Sequence, residues 1–295
     1  RLVEPRRLGL IIEEPDPQVA VQRVMDGLLT RPATHSSPSS LQRPWSRYPG
    51  AKDKAIWIVA ERIGRGLGAD PGDGPSDTLK RGFRRTTFEL LGKTRELALH
   101  TRSQVVAVLI GQGDEADLKA LAAYGADGIL IMDDALLGHP AGARAATALS
   151  RAIAEVGPYA VLFPSTPNGR DLASRVAARL GLGLTGDCID LEINGAGELV
   201  QLKPALGGNV VALILSKTRP NLATLRPGIL APLDPDWCLE AEVNTLNVED
   251  SGEPDIRLLE VRIEEDARGL ELEAAPIVIG VGMGIGGPEN LPAIF

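Results

Sequence analysis

Residues 104–132 read QVVAVLIGQGDEADLKALAAYGADGILIM, and this stretch decides the fold of the chain. Two short apolar runs, residues 104–110 and 128–132, enclose a helical stretch over residues 115–124. Strands that are apolar almost throughout are typical of parallel sheets that helices cover on both faces. A strand, a helix and a second strand of this kind in succession therefore predict a parallel sheet.

The same alternation continues on both sides of this unit. Further apolar runs predict strands at residues 55–61 (AIWIVAE) and 160–164 (AVLFP). Helices are predicted at residues 88–100, 141–156 and 171–180. Because crossovers between parallel strands are right-handed, these elements predict an α/β fold with a doubly wound parallel sheet.

The pattern changes further along the chain, where Gly-containing turns separate shorter strands. The turns contain Asn194-Gly195 and Gly207-Gly208, and Asn-Gly is a strong hairpin signal. We therefore expect an antiparallel flap attached to the main sheet. Its strands are predicted at residues 188–193, 199–203 and 210–215.

The chain divides into three predicted segments. Residues 1–53 are an N-terminal extension or linker, residues 54–235 are the α/β domain, and residues 236–295 are a connector with the beginning of a second α/β domain. The chain starts with Arg1 and stops just after a Gly-rich turn, so we expect both ends to be cuts in a longer protein. Strands in the last segment are predicted at residues 240–246, 257–263 and 276–280.

Composition argues against several classes of function. The net charge of −8 disfavours nucleic acid as a partner, and no apolar run approaches the length needed for membrane insertion. The two cysteines, Cys188 and Cys238, lie far apart and favour a reducing, cytoplasmic compartment. The three histidines are scattered singly, so we predict neither a metal site nor a catalytic residue.

The stretch FPSTPNGRDLASRVAARL, residues 163–180, leads from a predicted buried strand into a helix. Loops at the carboxyl ends of parallel strands are where such sheets bind ligands or partners. Asn168, Arg170 and Asp171 are therefore candidates for a partner interface. Asn168 is also a candidate helix cap, with Asp171 three residues later. In the alternative interpretation, Arg170 and Asp171 only cap and pin the helix.

A second candidate stretch, residues 203–215, reads KPALGGNVVALIL and is followed by TRPNLATLRPGI, residues 218–229. Arg219 and Arg226 each precede a proline, which favours an extended backbone. These arginines are candidates for pairing with carboxylates of a partner subunit. The alternative is an ordinary edge hairpin with solvated charges.

Two glycine-rich stretches are candidates for contact with an anion. In IVIGVGMGIGGPEN, residues 277–290, a turn after a predicted strand presents backbone N–H groups, although a purely structural turn explains the glycines equally well. Residues 64–77 hold a second glycine-rich loop. Its arginines are balanced by aspartates, so it is predicted to be a flexible surface loop.

Several blocks of the sequence resemble electron-transfer flavoprotein α subunits. The resemblance covers residues 54–295 and is most specific in residues 166–191, where length, order and residue type all agree. The blocks are IWIVAE (56–61), FELLGKTRELA (88–98), LAAYGADGILIMDD (121–134), TPNGRDLASRVAARLGLGLTGDCIDL (166–191), KPALGGNVVALI (203–214), RPGI (226–229) and IVIGVGMGIGGPENL (277–291).

The resemblance implies an adenine-nucleotide-hydrolase-like first domain, a β subunit as heterodimer partner, and the start of an FAD domain. It implies that Gly282, Met283 and Gly284 belong to the FAD site. FAD would carry electrons from an acyl-CoA or other dehydrogenase to a quinone reductase or a ferredoxin-type acceptor, and some relatives split electron pairs between two acceptors. The chain would then be a carrier subunit and not a self-contained catalyst.

Two departures from the family pattern motivate an alternative. The family's turn normally reads Gly-Gly-Arg-Gly, and Met283 stands here at the place of the arginine, so no side-chain charge faces a reduced, anionic flavin. Most of the FAD domain would also lie beyond Phe295. The alternative function is a non-redox interaction subunit without its flavin domain, and a third hypothesis is a nucleotide-binding enzyme.

Overall fold

The computed structural model describes residues 54–62, 82–133, 142–247 and 279–293, together with Val19. The chain forms two compact units. The first three of these ranges belong to the larger unit, and the last range belongs to the smaller one with Val19. Among the described residues, no helix is both long enough and apolar enough to span a bilayer.

The larger unit alternates strands and helices in its first half, as predicted. Its α-helices are α1 (Arg85–Thr101), α2 (Glu115–Ala123), α3 (Ala143–Val156) and α4 (Pro167–Leu180). Its strands are β1 (Ile56–Ala60), β2 (Val105–Ile110), β3 (Gly128–Asp133), β4 (Ala160–Pro164), β5 (Leu184–Cys188), β6 (Asp190–Ile193), β7 (Leu199–Ala205), β8 (Val210–Leu215), β9 (Asn221–Leu225) and β10 (Glu242–Asn247).

Seven of these strands form one parallel sheet in the order β10-β3-β2-β1-β4-β9-β5. β1 lies between β2 and β4, with Ile58 aligned to Ala107 on one side and to Leu162 on the other. The chain therefore winds outward from β1 in both directions. The predicted doubly wound α/β sheet is confirmed.

Helices cover both faces of this sheet, and side chains of β1 alternate between two cores. Ile56 and Ile58 belong to the core that α1 and α2 line, whereas Trp57 and Val59 belong to the core that α3 and α4 line. All five residues of β1 are buried. Burial of each large aliphatic side chain contributes about 1.5–3 kcal/mol, so the central strand contributes strongly to stability.

Capping residues determine where α2 and α4 begin. Asp114 accepts a hydrogen bond from the Asp117 backbone N–H (2.8 Å) and forms a complete capping box at α2. At α4, Thr166 is the N-cap and accepts from the Gly169 N–H (3.1 Å). The prediction that Asn168 caps this helix is wrong. Pro167, which is pre-set for a helical start, places the first turn ahead of Asn168.

The predicted antiparallel flap is confirmed as a three-stranded sheet in the order β6-β7-β8. Asn194 makes its first turn by accepting hydrogen bonds from the backbone N–H groups of Ala196 (3.0 Å) and Glu198 (2.9 Å). Lys93 of α1 binds Asp190 of β6 (2.8 Å) and fixes the flap to the main domain. The predicted strand at 188–193 is divided, because β5 ends in the main sheet before β6 begins.

Two strands lie at positions in the main sheet that the sequence did not predict, although β10 itself confirms the strand predicted at residues 240–246. β9 is buried throughout and lies between β4 and β5, so residues 218–229 are not part of an edge hairpin, whereas residues 203–215 do form a hairpin, β7–β8. β10 pairs in parallel with β3 at the sheet edge. Its sequence EVNTLN gives little sign of this position. Residues 257–263, predicted as another strand of that region, lie outside the described residues.

The connection between β9 and β10 is held against α1. The buried Glu89 carboxylate accepts a hydrogen bond from the Gly228 N–H (2.9 Å) and pairs with Arg85 (3.1 Å). Burial raises the pKa of the Glu89 carboxyl, and the bonds from Gly228 and Arg85 only partly counter this effect. Further along, the Asp236 N–H donates a hydrogen bond to the Ala123 carbonyl of α2 (2.9 Å), and the chain then enters the edge strand β10.

We expect Gly169→Ala to destabilise the domain by about 1–3 kcal/mol, because overpacking at a tight contact costs this much. A Cβ at Gly169 would overlap the Pro164 carbonyl oxygen and lie 2.9 Å from Pro164 Cγ. Urea unfolding followed by circular dichroism measures the loss. The control is Gly195→Ala in the flap turn, where a Cβ meets nothing within 4 Å. Equal unfolding midpoints for the two variants would contradict the prediction.

Candidate functional site

Polar side chains gather at the carboxyl ends of four neighbouring strands of the main sheet. Glu61 follows β1, Ser165 and Thr166 follow β4, Asp187 lies near the end of β5, and Arg226 follows β9. Because the strands are parallel, these ends lie on one edge of the sheet. Here the edge carries two hydrogen-bond networks that meet at Ser165 and Thr166.

The first network is centred on Asp187. Arg226 donates from Nη2 to Asp187 Oδ2 (2.5 Å) and from Nε to Oδ1 (3.3 Å), which gives a two-point ion pair. Arg170, in the first turns of α4, reaches Asp187 Oδ1 with Nη2 (3.4 Å). One carboxylate therefore holds two guanidinium groups that come from different elements. We call Arg170, Asp187 and Arg226 the arginine cluster.

Hydroxyl groups beneath the arginine cluster fix its carboxylate. Ser165 Oγ accepts from Arg170 Nε (2.9 Å) and donates to Asp187 Oδ1 (3.2 Å). Thr224 Oγ1, on the buried strand β9, accepts from the Asp187 backbone N–H (2.8 Å). Asp187 itself has a left-handed backbone (φ 62°), which aspartate tolerates better than most residues.

The electrostatics of the cluster follow from these bonds. The hydrogen bond from Arg226 is the main reason why the pKa of the Asp187 carboxyl lies below its usual value, and the charge of Arg170 adds to it. The three side chains are 33% (Asp187), 43% (Arg226) and 59% (Arg170) exposed. Exposed pairs of this kind add little stability. The cluster carries one net positive charge at the surface, which suits recognition of a carboxylate.

The second network is centred on Glu61, whose side chain is almost fully buried. Thr166 Oγ1 donates to Glu61 Oε2 (2.7 Å), and Asn168 Nδ2 donates to Oε1 (3.4 Å). Arg84 pairs with the same carboxylate (3.3 Å from Nε to Oε1). This network is turned inward, whereas the arginine cluster faces outward.

The five residues predicted as a partner interface do not form one site. Arg170 and Arg226 come together through Asp187, while Asn168 belongs to the Glu61 network. Asp171 pairs with Arg175 one turn further along α4 (2.9 Å). Arg219 precedes β9 and stacks over the Tyr159 ring (5.2 Å), so it lies at the opposite end of the strand from Arg226. Whether any of them contacts a partner stays a prediction.

Sequence reasoning missed Glu61, Asp187 and Ser165 as site residues. Glu61 is a charged residue at the end of a buried strand, and that position alone marks the functional edge of a parallel sheet. Ser165 directly follows the buried strand β4 and so carried the same positional signal. Asp187 carried no such signal, and the strand that brings Arg226 to it was not recognised.

The predicted flavin turn is described in residues 279–293, which form two short 3₁₀ turns, Met283–Ile285 and Pro288–Ala293. Met283 is 97% exposed, and Gly282 and Gly284 have open space where a side chain would be. The backbone of this turn can therefore approach a flat ring or a phosphate closely. Glu289 is the only charged residue in this range, so no side chain of this turn offers a positive charge.

The two thiols differ in environment. Cys188, at the end of β5, is buried, and its burial raises the pKa to about 12. Cys238 is exposed. Among the described residues, no group of His, Cys, Asp or Glu has the arrangement of a metal site.

The chain matches the family described as "Electron transfer flavoprotein domain" over residues 77–251. It is 38% identical over 243 residues to electron transfer flavoprotein subunit alpha of Thermoanaerobacterium thermosaccharolyticum. The aligned region covers 82% of this chain and 68% of that relative. The same subunit of Clostridium acetobutylicum is 32% identical over 249 residues, with 80% and 67% covered. The lactate dehydrogenase (NAD(+),ferredoxin) subunit LctC of Acetobacterium woodii is 36% identical over 213 residues, with 70% and 50% covered.

The family match includes every strand of the parallel sheet except β1, so it does not depend on one motif. The chain belongs to the electron transfer flavoprotein family. Within the family it is an electron-transfer subunit of the α type, which confirms the resemblance seen in the sequence. A flavin is the cofactor of this family by its name, and the chain spans about two thirds of the two α subunits compared.

We expect Asp187→Asn to lower the melting temperature at neutral pH. A carboxyl group whose pKa is lowered in the folded state adds stability above its unfolded pKa, and this stability is lost as the pH falls through the folded pKa. The difference between wild type and variant should therefore shrink below about pH 4. Thermal unfolding across this pH range measures it. A difference that stays constant with pH would contradict this assignment.

We expect one thiol of the native chain to react rapidly with a disulfide reagent at pH 8 and the second to react only in denaturant. The thiolate is the reactive form, and Cys188 is both buried and weakly acidic. Cys238→Ser should remove the rapid phase, whereas Cys188→Ser should leave it unchanged. Rapid reaction of both thiols in the native protein would show that Cys188 is not buried.

Proposed function

We propose that the chain acts as the α subunit of a two-subunit electron carrier that uses FAD. The observation that supports this most strongly is the similarity to two α subunits over 80% or more of the chain. The geometry agrees with a scaffold role, since the polar edge of the sheet is held in internal hydrogen bonds and its outer side carries cationic groups. We also propose a cytoplasmic location.

The β subunit would bind at the edge that carries the arginine cluster. Arg170 and Arg226 are held at fixed positions by Asp187 and are partly exposed, so carboxylates of a partner can pair with them without ordering flexible side chains. Lys203 of the flap donates to the Gly186 carbonyl (2.8 Å) and connects the flap to this edge. The flap also exposes Leu206, 79% exposed, close in sequence to Lys203.

The flavin would be held in part by the turn at Gly282, Met283 and Gly284. When bound, the flavin supplies the one- and two-electron chemistry. The protein's part is to orient the ring and to tune its surroundings. At this turn it would do so through backbone groups and the methionine side chain. Methionine offers no positive charge, so this position would stabilise a reduced flavin less than an arginine does.

Electrons would come from an acyl-CoA or other dehydrogenase and pass to a quinone reductase or a ferredoxin-type acceptor. The name of the Acetobacterium woodii relative pairs NAD(+) with ferredoxin, which supports a ferredoxin-type acceptor among these choices. Splitting of the electron pair between two acceptors is part of the same proposal.

A second candidate function is a non-redox interaction subunit of the same fold. Met283 favours it, because a side chain that is 97% exposed and uncharged contributes little to flavin chemistry at this turn. The two candidates share the partner surface and differ only in the cofactor. Flavin absorbance of the purified two-subunit complex, measured after FAD is supplied, separates them: a yellow complex supports the carrier and a colourless one supports the interaction subunit.

The partner surface is tested with the double variant Arg170→Ala/Arg226→Ala in the complex with a β subunit. We expect the dissociation constant to rise about tenfold or more, since two charge-assisted contacts are lost. Arg179→Ala is the matched control, because Arg179 lies in the last turn of the same helix, at the other end of the sheet. Calorimetric titration gives both constants. Equal constants for the double variant and the control would remove the arginine cluster from the interface.

A further inference from the structure

The crevice between β1 and β4 is the place where a doubly wound sheet ordinarily takes a ligand. The strand order reverses direction there, since β2 and β3 lie on one side of β1 and β4 and β9 on the other. The connections on the two sides leave opposite faces of the sheet at this point, which opens a crevice outside the carboxyl ends. In this chain, the crevice is not open.

The carboxylate of Glu61 occupies the crevice. Glu61 is the first residue after β1 and is only 4% exposed. Its backbone is locked to Thr87, whose hydroxyl accepts from the Glu61 N–H (3.0 Å) and donates to the Glu61 carbonyl (3.3 Å). The Arg84 N–H also donates to this carbonyl (2.8 Å). From this fixed backbone, the side chain reaches Thr166 and Asn168, which follow β4.

The groups that receive this carboxylate come from the start of α4 and the start of α1. The hydroxyl of Thr166 accepts a hydrogen bond from the Gly169 N–H and donates one to Glu61 Oε2 (2.7 Å). The Glu61 carboxylate therefore interacts with the positive end of the α4 dipole through this hydroxyl. Asn168 Nδ2 and Arg84 Nε face Oε1 (3.4 and 3.3 Å). A hydroxyl, an amide and a guanidinium group at a helix N-terminus are the donors that bind an oxyanion.

α4 has no acidic residue of its own in its first turn. The charge at its N-terminus comes from a different strand, over a distance of more than one hundred residues in sequence. We propose that Glu61 is a built-in anion that closes an oxyanion-binding crevice, and that the crevice accepts a tetrahedral oxyanion such as sulfate once this carboxylate is removed. The crevice is thus a ligand site that the chain fills with its own side chain.

The donor groups that bind Glu61 are expected to keep their positions when Glu61 is replaced. The start of α4 is packed against β4 so tightly that Gly169 has no room for a Cβ near Pro164. Thr166 keeps its bond to the Gly169 N–H in either case. Removal of the carboxylate therefore leaves the Thr166 hydroxyl and the Asn168 amide in place and takes away the anion that they bind.

The test compares the melting temperatures of the full chain and its variants in sodium sulfate and in sodium chloride at equal ionic strength. We expect sulfate to raise the melting temperature of Glu61→Ala by about 3 °C or more beyond its effect on wild type. Ile58→Val is the matched control, because it weakens the same buried strand without touching the crevice. Its response to sulfate should equal that of wild type.

A third variant removes one donor from the opened crevice. Thr166→Val combined with Glu61→Ala should lose the extra stabilisation by sulfate, and if Glu61→Ala does not fold, Glu61→Ser, which also removes the carboxylate and opens the crevice, takes its place in both comparisons. An equal sulfate effect on wild type, Ile58→Val and the Glu61 variant would overturn the proposal. So would an extra effect that persists without the Thr166 hydroxyl.

Discussion

The burial of the central strands on both faces is the constraint on which the rest of the structure depends. β1 and β4 are buried along their whole length, so neither can carry a charged side chain within the strand. Charge is therefore confined to the residues that follow these strands. Glu61 comes directly after β1, and Ser165 and Thr166 come directly after β4. The buried strands therefore place the polar side chains of this site beyond their carboxyl ends.

Most of the charge at that edge is satisfied within the chain. The N-terminus of α4 receives the Glu61 carboxylate, and Asp187 receives two guanidinium groups. An edge organised in this way is rigid, since each charged group is held by at least one other element of the fold. What remains for another molecule is the outer side of Arg170 and Arg226. This arrangement agrees with the partner surface proposed at this edge.

How much the sequence could predict depended on how local the signal was. The apolar runs of β1 to β4 can be recognised from their own residues without any knowledge of neighbouring strands. The helices between them could be predicted in the same way. β9 was missed because its five residues, NLATL, lie between two prolines and contain two polar side chains. Those polar groups are accommodated only in the folded protein: the hydroxyl of Thr224 binds the Asp187 N–H, and Asn221 binds the Tyr159 carbonyl (3.2 Å). No pattern in the sequence displays such bonds in advance.

The same reasoning explains why the predicted interface separated into parts. Asn168, Arg170 and Asp171 are neighbours in sequence, yet helical geometry points them in different directions from the first turns of α4. Asn168 points to the inner network, Arg170 to Asp187, and Asp171 along the helix to Arg175. Arg226 joins Arg170 only because β9 is inserted between β4 and β5. The position of that one strand therefore decides which arginines can act together at the surface, and sequence proximity does not.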